Sequence, residues 1–243
     1  TGVMDEPAVR YYLMGDVDDP HAPGNRWVEA DAFPPKSEPT RYYVHSDYTL
    51  GTETPSVDGD SLQYRYDPQD PVPTVGRVHV RLPVNGPFDQ REVESRADVL
   101  VFTTPPLAKP LEIVGQVQAK LWASSDRKDT DFTVKLTDVY PDGRSMIFLD
   151  GIVKARHRNG YLEEELLEPG KVTELGIDLG YIAIVLAPGH RLRVAISSSN
   201  FDRWDINPNT GEPYGTHALT QSLLAERLRV DSFQEEPEYS NSL

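Results

Sequence analysis

Between residues 97 and 199 the chain alternates apolar and polar side chains almost without interruption, and a period of two leaves little choice but a β-sheet protein. "LEIVGQVQAKLWASS" (111–125) sets Leu111, Ile113, Val117, Ala119, Leu121 and Ala123 on one face, because successive strand residues point to opposite sides. "ADVLVFTT" before it is β-branched and aromatic, and "DFTVKLTDVY" after it alternates through Phe132, Val134 and Leu136. A "PDG" turn follows, with Pro141 pre-setting φ and Gly143 accepting a positive one, and "RSMIFLDGIVKAR" returns as the partner strand. "VTELGIDL", "GYIAIVLAPG" and "HRLRVAISSS" add further strands at short, regular spacing. Such a run predicts an all-β domain, a sandwich or barrel. The 21 prolines and 17 glycines suit many short strands and would interrupt long helices.

The first 96 residues read as a loop-rich lead-in with a few strands. "AVRYYLMG" and "TRYYVHS" are strand-like, while "DVDDPHAPGNRW" and "DAFPPKSEPT" are polar or proline-rich. Residues 51–73 are rich in Asp, Pro and Gly and read as irregular loop; loop continues to about residue 96, and 77–82 has the make-up of a short strand. "HALTQSLLAERLRV" fits helical spacing through Leu219, Leu223, Leu224 and Leu228, but a strand equally, and residues 234–243 form an acidic tail expected to fray. No linker divides the chain, so one domain is expected over 1–243. The opening "TGVMDEPAVRYYLMG" starts at Thr1 and enters a strand within a few residues, which reads as a piece of something longer.

Charge and composition exclude several classes of function. A net charge of −15, with no Lys/Arg cluster to break it, repels nucleic acid. Without cysteine there is no disulfide, zinc ribbon or thiol nucleophile, and the compartment, cytoplasmic or secreted, stays open. No apolar run reaches the roughly 18–20 residues of a membrane-spanning helix. The spacing Ser125-x-x-Lys128 matches one class of serine nucleophile, but the Ser-Asp-Asn and Lys-Thr-Gly elements of that class are missing, and a connecting loop is expected. The string G-x-S-x-G, which exposes a hydrolase serine on a sharp strand-to-helix turn, does not occur; the nearest, "GRSMI", sits inside a hairpin. His21, His45, His79, His157, His190 and His217 lack metal-ligand spacing, and His190 reads as the start of a strand. No cofactor is expected, since no phosphate-cradling glycine loop is present.

Two acidic loops have the oxygen density a hard cation wants: Asp126, Asp129 and Asp131 in one, Asp16, Asp18 and Asp19 in the other. Both lack the central Gly and closing Glu of a full calcium loop, so each is a weak calcium candidate beside the plainer reading of solvated turn residues. "SSSNFDRWDINPNTGEPYG" (197–215) follows a strand and gathers Phe201, Arg203, Trp204, Asn207 and Asn209, side chains suited to contacting a protein or a sugar, or to folding the loop on itself.

Three long stretches, "GPFDQREVESRADVLVFTTPPLAKPLEIVG", "SSDRKDTDFTVKLTDVYPDGRSMIFLDGIVKARHR" and "PGHRLRVAISSSNFDRWDINPNTG", resemble the C-terminal domain of the cocaine-esterase-like acyl hydrolases. That group of serine hydrolases includes X-Pro dipeptidyl-peptidases, α-amino acid ester hydrolases and glutaryl cephalosporanic acid acylases. "EPAVRYYLMG", "NRWVEADAFPP" and "YRYDPQDPVPTVG" resemble the lead-in to the same domain, so the likeness runs from about Glu6 to Gly211. "DVDDPHAPG" looks inserted, Arg77 stands where the family often has glycine, and the sequence from about Leu219 is less alike. The resemblance implies a jelly-roll β-sandwich similar to galactose-binding modules, following an α/β-hydrolase domain and a helical cap on the same polypeptide. Those earlier domains carry the catalytic Ser, Asp and His, so no catalytic residue is carried over to this chain. It implies further that the sandwich helps wall the active site, with the loops around Phe88, Asp89 and Gln90 and around Phe201, Arg203, Trp204, Asn207 and Asn209 as interface candidates. A free-standing carbohydrate-binding module or an oligomerisation domain, with a homo-oligomer as the outcome, are the alternatives.

Overall fold

The fold is seen in a computed structural model, which describes residues 2, 5–55, 61–76 and 86–213 and the backbone of 224–229. The long alternating segments form strands where their sequence asks for them: β6 (Leu100–Thr103), β7 (Leu111–Ser125), β8 (Asp131–Val139), β9 (Ser145–Lys154), β10 (Thr173–Leu186) and β11 (Arg191–Ser197). Before them come β1 (Val9–Leu13), β2 (Arg26–Ala30), β3 (Tyr43–Val44), β4 (Leu50–Gly51), β5 (Ser61–Tyr66) and the single helical turn α1 (Arg91–Glu94); after them comes β12 (Leu224–Arg229). Two four-stranded antiparallel sheets, in the orders β10-β7-β12-β5 and β6-β11-β8-β9, form an all-β sandwich.

The core lies between the two sheets. Leu121 and Ala123 of β7 and Leu175, Ile177 and Leu179 of β10 meet Phe102, Phe132, Val134, Leu136, Leu149 and Ile196 of the facing sheet. Leu111, Ile113, Val117 and Ala119 pack against that core, so the apolar face read from β7 is the inward one. The segments "VTELGIDL" and "GYIAIVLAPG", read as two strands, are one. A bulge between Asp178 and Gly180 shifts the register against β7, and Gly180 has φ +88°. The extra residue moves the inward set from Leu175, Ile177 and Leu179 to Ile182, Ile184 and Leu186, so both halves keep their apolar face on the core.

The outer faces are covered too. β1 and β2 pair antiparallel and lay Tyr11, Leu13 and Val28 on Val114, Ala183 and Val185, outward residues of β7 and β10. On the other sheet α1 and residues 72–75 cap Val101 and Ala195 with Val72, Val75 and Val93. β8 is therefore buried along its whole length. In the stretch 51–73, read as irregular, Leu62, Tyr64 and Tyr66 alternate within β5, and pairing with β12 draws them into the main sheet. The loop expected up to residue 96 contains α1. The ambiguous segment near 224 is a strand, filling the slot between β5 and β7. The strand expected at 77–82 and the acidic tail lie outside the described residues.

Candidate functional site

Beside the Val101–Ala195 patch, the outer face of the β6-β11-β8-β9 sheet carries polar side chains, and it brings the two candidate loops together. β8 turns Phe132, Val134 and Leu136 to the core, which leaves Thr133, Lys135 and Thr137 facing out beneath α1 and its neighbours. Gln90, fully buried, ties them down: its amide nitrogen donates to the carbonyls of Val75 (2.7 Å) and Phe88 (3.1 Å), and its amide oxygen accepts from Lys135 at 3.3 Å. Burial pushes the Lys135 ammonium down to about 8, against the opposing pull of Asp150 and Glu94. Glu94 accepts from Arg193 (2.6 Å) and from the Ser145 hydroxyl (2.7 Å), pinning α1 to the sheet. Asp89 accepts from the backbone of Ser145 and from the side chain of Arg91. Burial pushes that carboxyl up, but these hydrogen bonds outweigh it and hold Asp89 below its usual value.

Residues 72–75 bridge from this region to the second loop. The Phe201 amide donates to the Val72 carbonyl, the Thr74 amide donates to the Phe201 carbonyl, and the Thr74 hydroxyl donates to the Asn200 carbonyl at 2.9 Å. Phe201 itself is 42% exposed. The Arg203 guanidinium lies 3.0 Å from the buried Asp150 carboxylate and stacks 4.9 Å over the Trp204 ring. Phe88, Asp89, Phe201, Arg203 and Trp204 thus flank one strip of chain with some part of each side chain toward solvent.

Gln90, Asn207 and Asn209 act inward instead. Asn207 is 2% exposed and donates to Asp129 (2.9 Å) and Asp131 (2.7 Å); Asn209 donates to the Thr130 hydroxyl at 3.0 Å. These amides fasten the 200–209 loop to the turn between β7 and β8 and leave little surface for a partner.

That turn is the one whose aspartates are the weak calcium candidates, and two of its carboxylates have cationic side chains as partners. Asp129 is wholly buried and receives the Arg156 guanidinium through two nitrogens, each at 2.8 Å. Lys154 stands 3.0 Å from Asp131, and Asp126 is exposed beside Arg127. A guanidinium and an ammonium already occupy the place of the cation, and among the described residues no three His, Asp or Glu are grouped to hold a metal. Burial pushes the Asp131 carboxyl up to about 6, with Lys154 and Asn207 pulling the other way. Ser125 ends β7, and its hydroxyl oxygen accepts the Arg127 amide at 3.0 Å, a turn contact in place of a nucleophile.

The other acidic loop is dispersed as well. Asp18 pairs with Arg144 at 2.6 Å, and Asp19 accepts the His21 amide. Asp16 reaches His190 Nε2 at 3.5 Å, while His190 Nδ1 lies 2.9 Å from Asp138 and the ring contacts Tyr140 at 4.4 Å between centroids. Burial pushes Asp138 up to about 6 despite His190, and it pushes the Tyr140 hydroxyl up with Asp16 and Asp138 adding to the effect. His190 precedes β11, as its Pro-Gly turn predicts, and it also locks the β1–β2 connection onto β8. Sequence spacing carries no signal for that, because the three partners come from distant segments.

Polar side chains of this kind hold loops on the β-sandwich scaffold. Comparison with known proteins gives the family: a model of the X-Pro dipeptidyl-peptidase C-terminal non-catalytic domain matches residues 1–242, and the chain belongs to that family. It is 38% identical to cocaine esterase of Rhodococcus sp. (strain MB1 Bresler) over 229 residues, which cover 90% of this chain and 38% of the esterase. Among solved structures it is similar to an aminopeptidase from a marine sediment archaeon, Thaumarchaeota archaeon, at 31% identity and a TM-score of 0.81, covering 93% of this chain and 38% of that one. An α-amino acid ester hydrolase matches at 28% identity and a TM-score of 0.77, over 85% of this chain and 37% of that one. The chain thus spans under two fifths of the length of each of these relatives.

Proposed function

We propose that this chain is the accessory domain of a serine acyl hydrolase, packing on an α/β-hydrolase domain and walling one side of its active site while supplying no catalytic group. The observation that carries this reading is the match to a C-terminal non-catalytic domain over residues 1–242, in a chain that spans 38% of cocaine esterase. The parent polypeptide would form an acyl-enzyme on its own serine and release it with water, acting on an ester or amide. The sandwich would contribute by excluding bulk water and fixing the substrate's orientation, both of which raise rate without a reacting group.

Phe88, Asp89, Phe201, Arg203 and Trp204 are the contacts we assign to that wall, with Gln90, Asn207 and Asn209 holding their loops in shape. Phe201→Ala in the full polypeptide is the cleanest test, since its ring is exposed and its loss leaves no buried group unpaired. kcat/KM is expected to fall about tenfold with the fold intact, as for the loss of about 1.4 kcal/mol of transition-state positioning. Unchanged kinetics in both Phe201→Ala and Trp204→Ala would remove these loops from the wall.

A further inference from the structure

Exposed aromatic side chains gather on and around the β1–β2 pair. Of the twelve large hydrophobic side chains exposed among the described residues, six belong to this pair and its surroundings: Tyr12, Met14, Val17, Trp27, Phe33 and Tyr181. They are organised. In the strand register Tyr12 opposes Trp27 and Arg10 opposes Glu29, so both cross-strand pairs stand on one face. Tyr12 meets Trp27 edge to face at 5.5 Å, and Arg10 meets Glu29 at 2.5 Å. Phe33 lies at the other side of the pair, against Tyr11 of the inward face at 5.3 Å and Tyr181 of β10 at 6.2 Å, and closes the flank of the hairpin rather than its outer face. An open groove of about 640 Å³ runs along it, lined by Arg10, Arg26, Trp27, Val28 and Glu29.

Trp27 at 65% exposure, with Tyr12 at 43% beside it, is costly in water, and two exposed rings paired on one hairpin face suit a surface that something covers. The opposite face of the pair is already spent on Val114, Ala183 and Val185, so a partner can come only from outside. An aromatic anchor edged by an ion pair, in place of a ring of hydroxyl and amide groups, suits a protein surface. The family also gives direction. It is a C-terminal domain, so in its members the catalytic part lies earlier in the chain, and β1 is the first strand reached from it.

The geometry points to the Tyr12–Trp27 face of the β1–β2 pair as the surface on which the catalytic part of the same polypeptide seats itself, with Trp27 as the anchor. This rests on the accessory-domain reading and adds a second contact to the Phe88 and Phe201 loops. The two regions are linked around the β8–β9 turn: Asp18, in the β1–β2 connection, pairs with Arg144, and Asp89 holds the amide of Ser145 beside it. A catalytic part resting on the hairpin would therefore press on the support of the Phe88 loop.

Hydroxyl-radical footprinting of the full polypeptide that carries this chain tests the assignment, with Tyr161, 85% exposed, as the internal reference. Loss of Trp27 and Tyr12 oxidation relative to Tyr161, unchanged on dilution, is the expected result. Trp27 oxidised as readily as Tyr161, in a polypeptide that does contain a serine-hydrolase part, overturns this surface and leaves the accessory-domain reading standing. Protection that fades on dilution means that a second copy covers the face, and it overturns the proposal equally. A full polypeptide with no hydrolase part overturns both.

Discussion

Arg156 is the largest side chain buried whole among the described residues, and it sits there because Asp129 is buried opposite it. Glu164 adds a weaker contact at 3.2 Å from a more exposed position. A buried ion pair contributes little net stability, but removing one partner strands the other without solvent or counter-ion. Arg156→Ala should therefore cost about 3–5 kcal/mol, whereas replacing Arg156 and Asp129 together by apolar residues of similar volume should cost far less. Urea unfolding of the two variants checks this; equal losses would show that the ion pair itself, and not an Asp129 left stranded, carries the stability. The same pair shows what the sequence of that turn leaves unsaid. Asp126, Asp129 and Asp131 stand within six residues and look like ligands, while Arg156, Lys154 and Asn207 that answer them lie on other segments. Local spacing reveals donors that share a loop; it is blind to partners that folding brings in.

The strands were the most legible elements, for a reason visible in β7 and β10. Inward residues at every second position must all be apolar when one face is the core, so the sequence writes the pattern out in full. β10 was split because the bulge at Gly180 breaks that parity, and a one-residue change of phase looks like a strand ending. β5 was missed although Leu62, Tyr64 and Tyr66 alternate, since Asp, Pro and Gly on either side dominate any longer window. Gly151 in β9 lies directly against the backbone of β10. A Cβ there would lie 2.8 Å from the Asp178 carbonyl oxygen and 3.2 Å from the Leu179 Cα, backbone atoms that cannot turn aside. Gly151→Ala should destabilise by about 1–3 kcal/mol, the usual result of overfilling a packed interior. An unchanged melting temperature would mean that β10 slides away from β9 without cost, contrary to the close contact described.

Across the whole molecule, the perturbed groups set how stability follows pH. Asp131 and Asp138 have their carboxyls pushed up to about 6, above the unfolded value of 3.8, so the folded state holds their protons more tightly. Their contribution is fully present below about pH 4 and is lost as pH rises through 6. Asp89, held below its usual value, works the other way and is lost in stronger acid. Lys135, pushed down to about 8 from 10.5, costs stability throughout lower pH, and that cost is relieved as pH climbs from 8 to 10.5. Melting temperature is therefore expected to be higher near pH 5 than at pH 7.5, and Asp138→Asn should flatten that slope; a slope unaltered by the change would place the titration elsewhere. The sandwich and the family were legible in the sequence, from alternation and from long ordered motifs. The Tyr12–Trp27 face was not, because exposure is a property of the finished surface: "VRYYL" and "RWVEA" read the same whether their outer rings meet solvent or a partner. One arrangement bears on how such a chain is made. β12, the last strand among the described residues, does not close an edge but slips between β5 and β7, whose residues 61–66 and 111–125 leave the ribosome long before 224–229. Until those residues are made the sheet lacks a middle strand, so β5 and β7 can be joined through β12 only after the segment 224–229 has been synthesised.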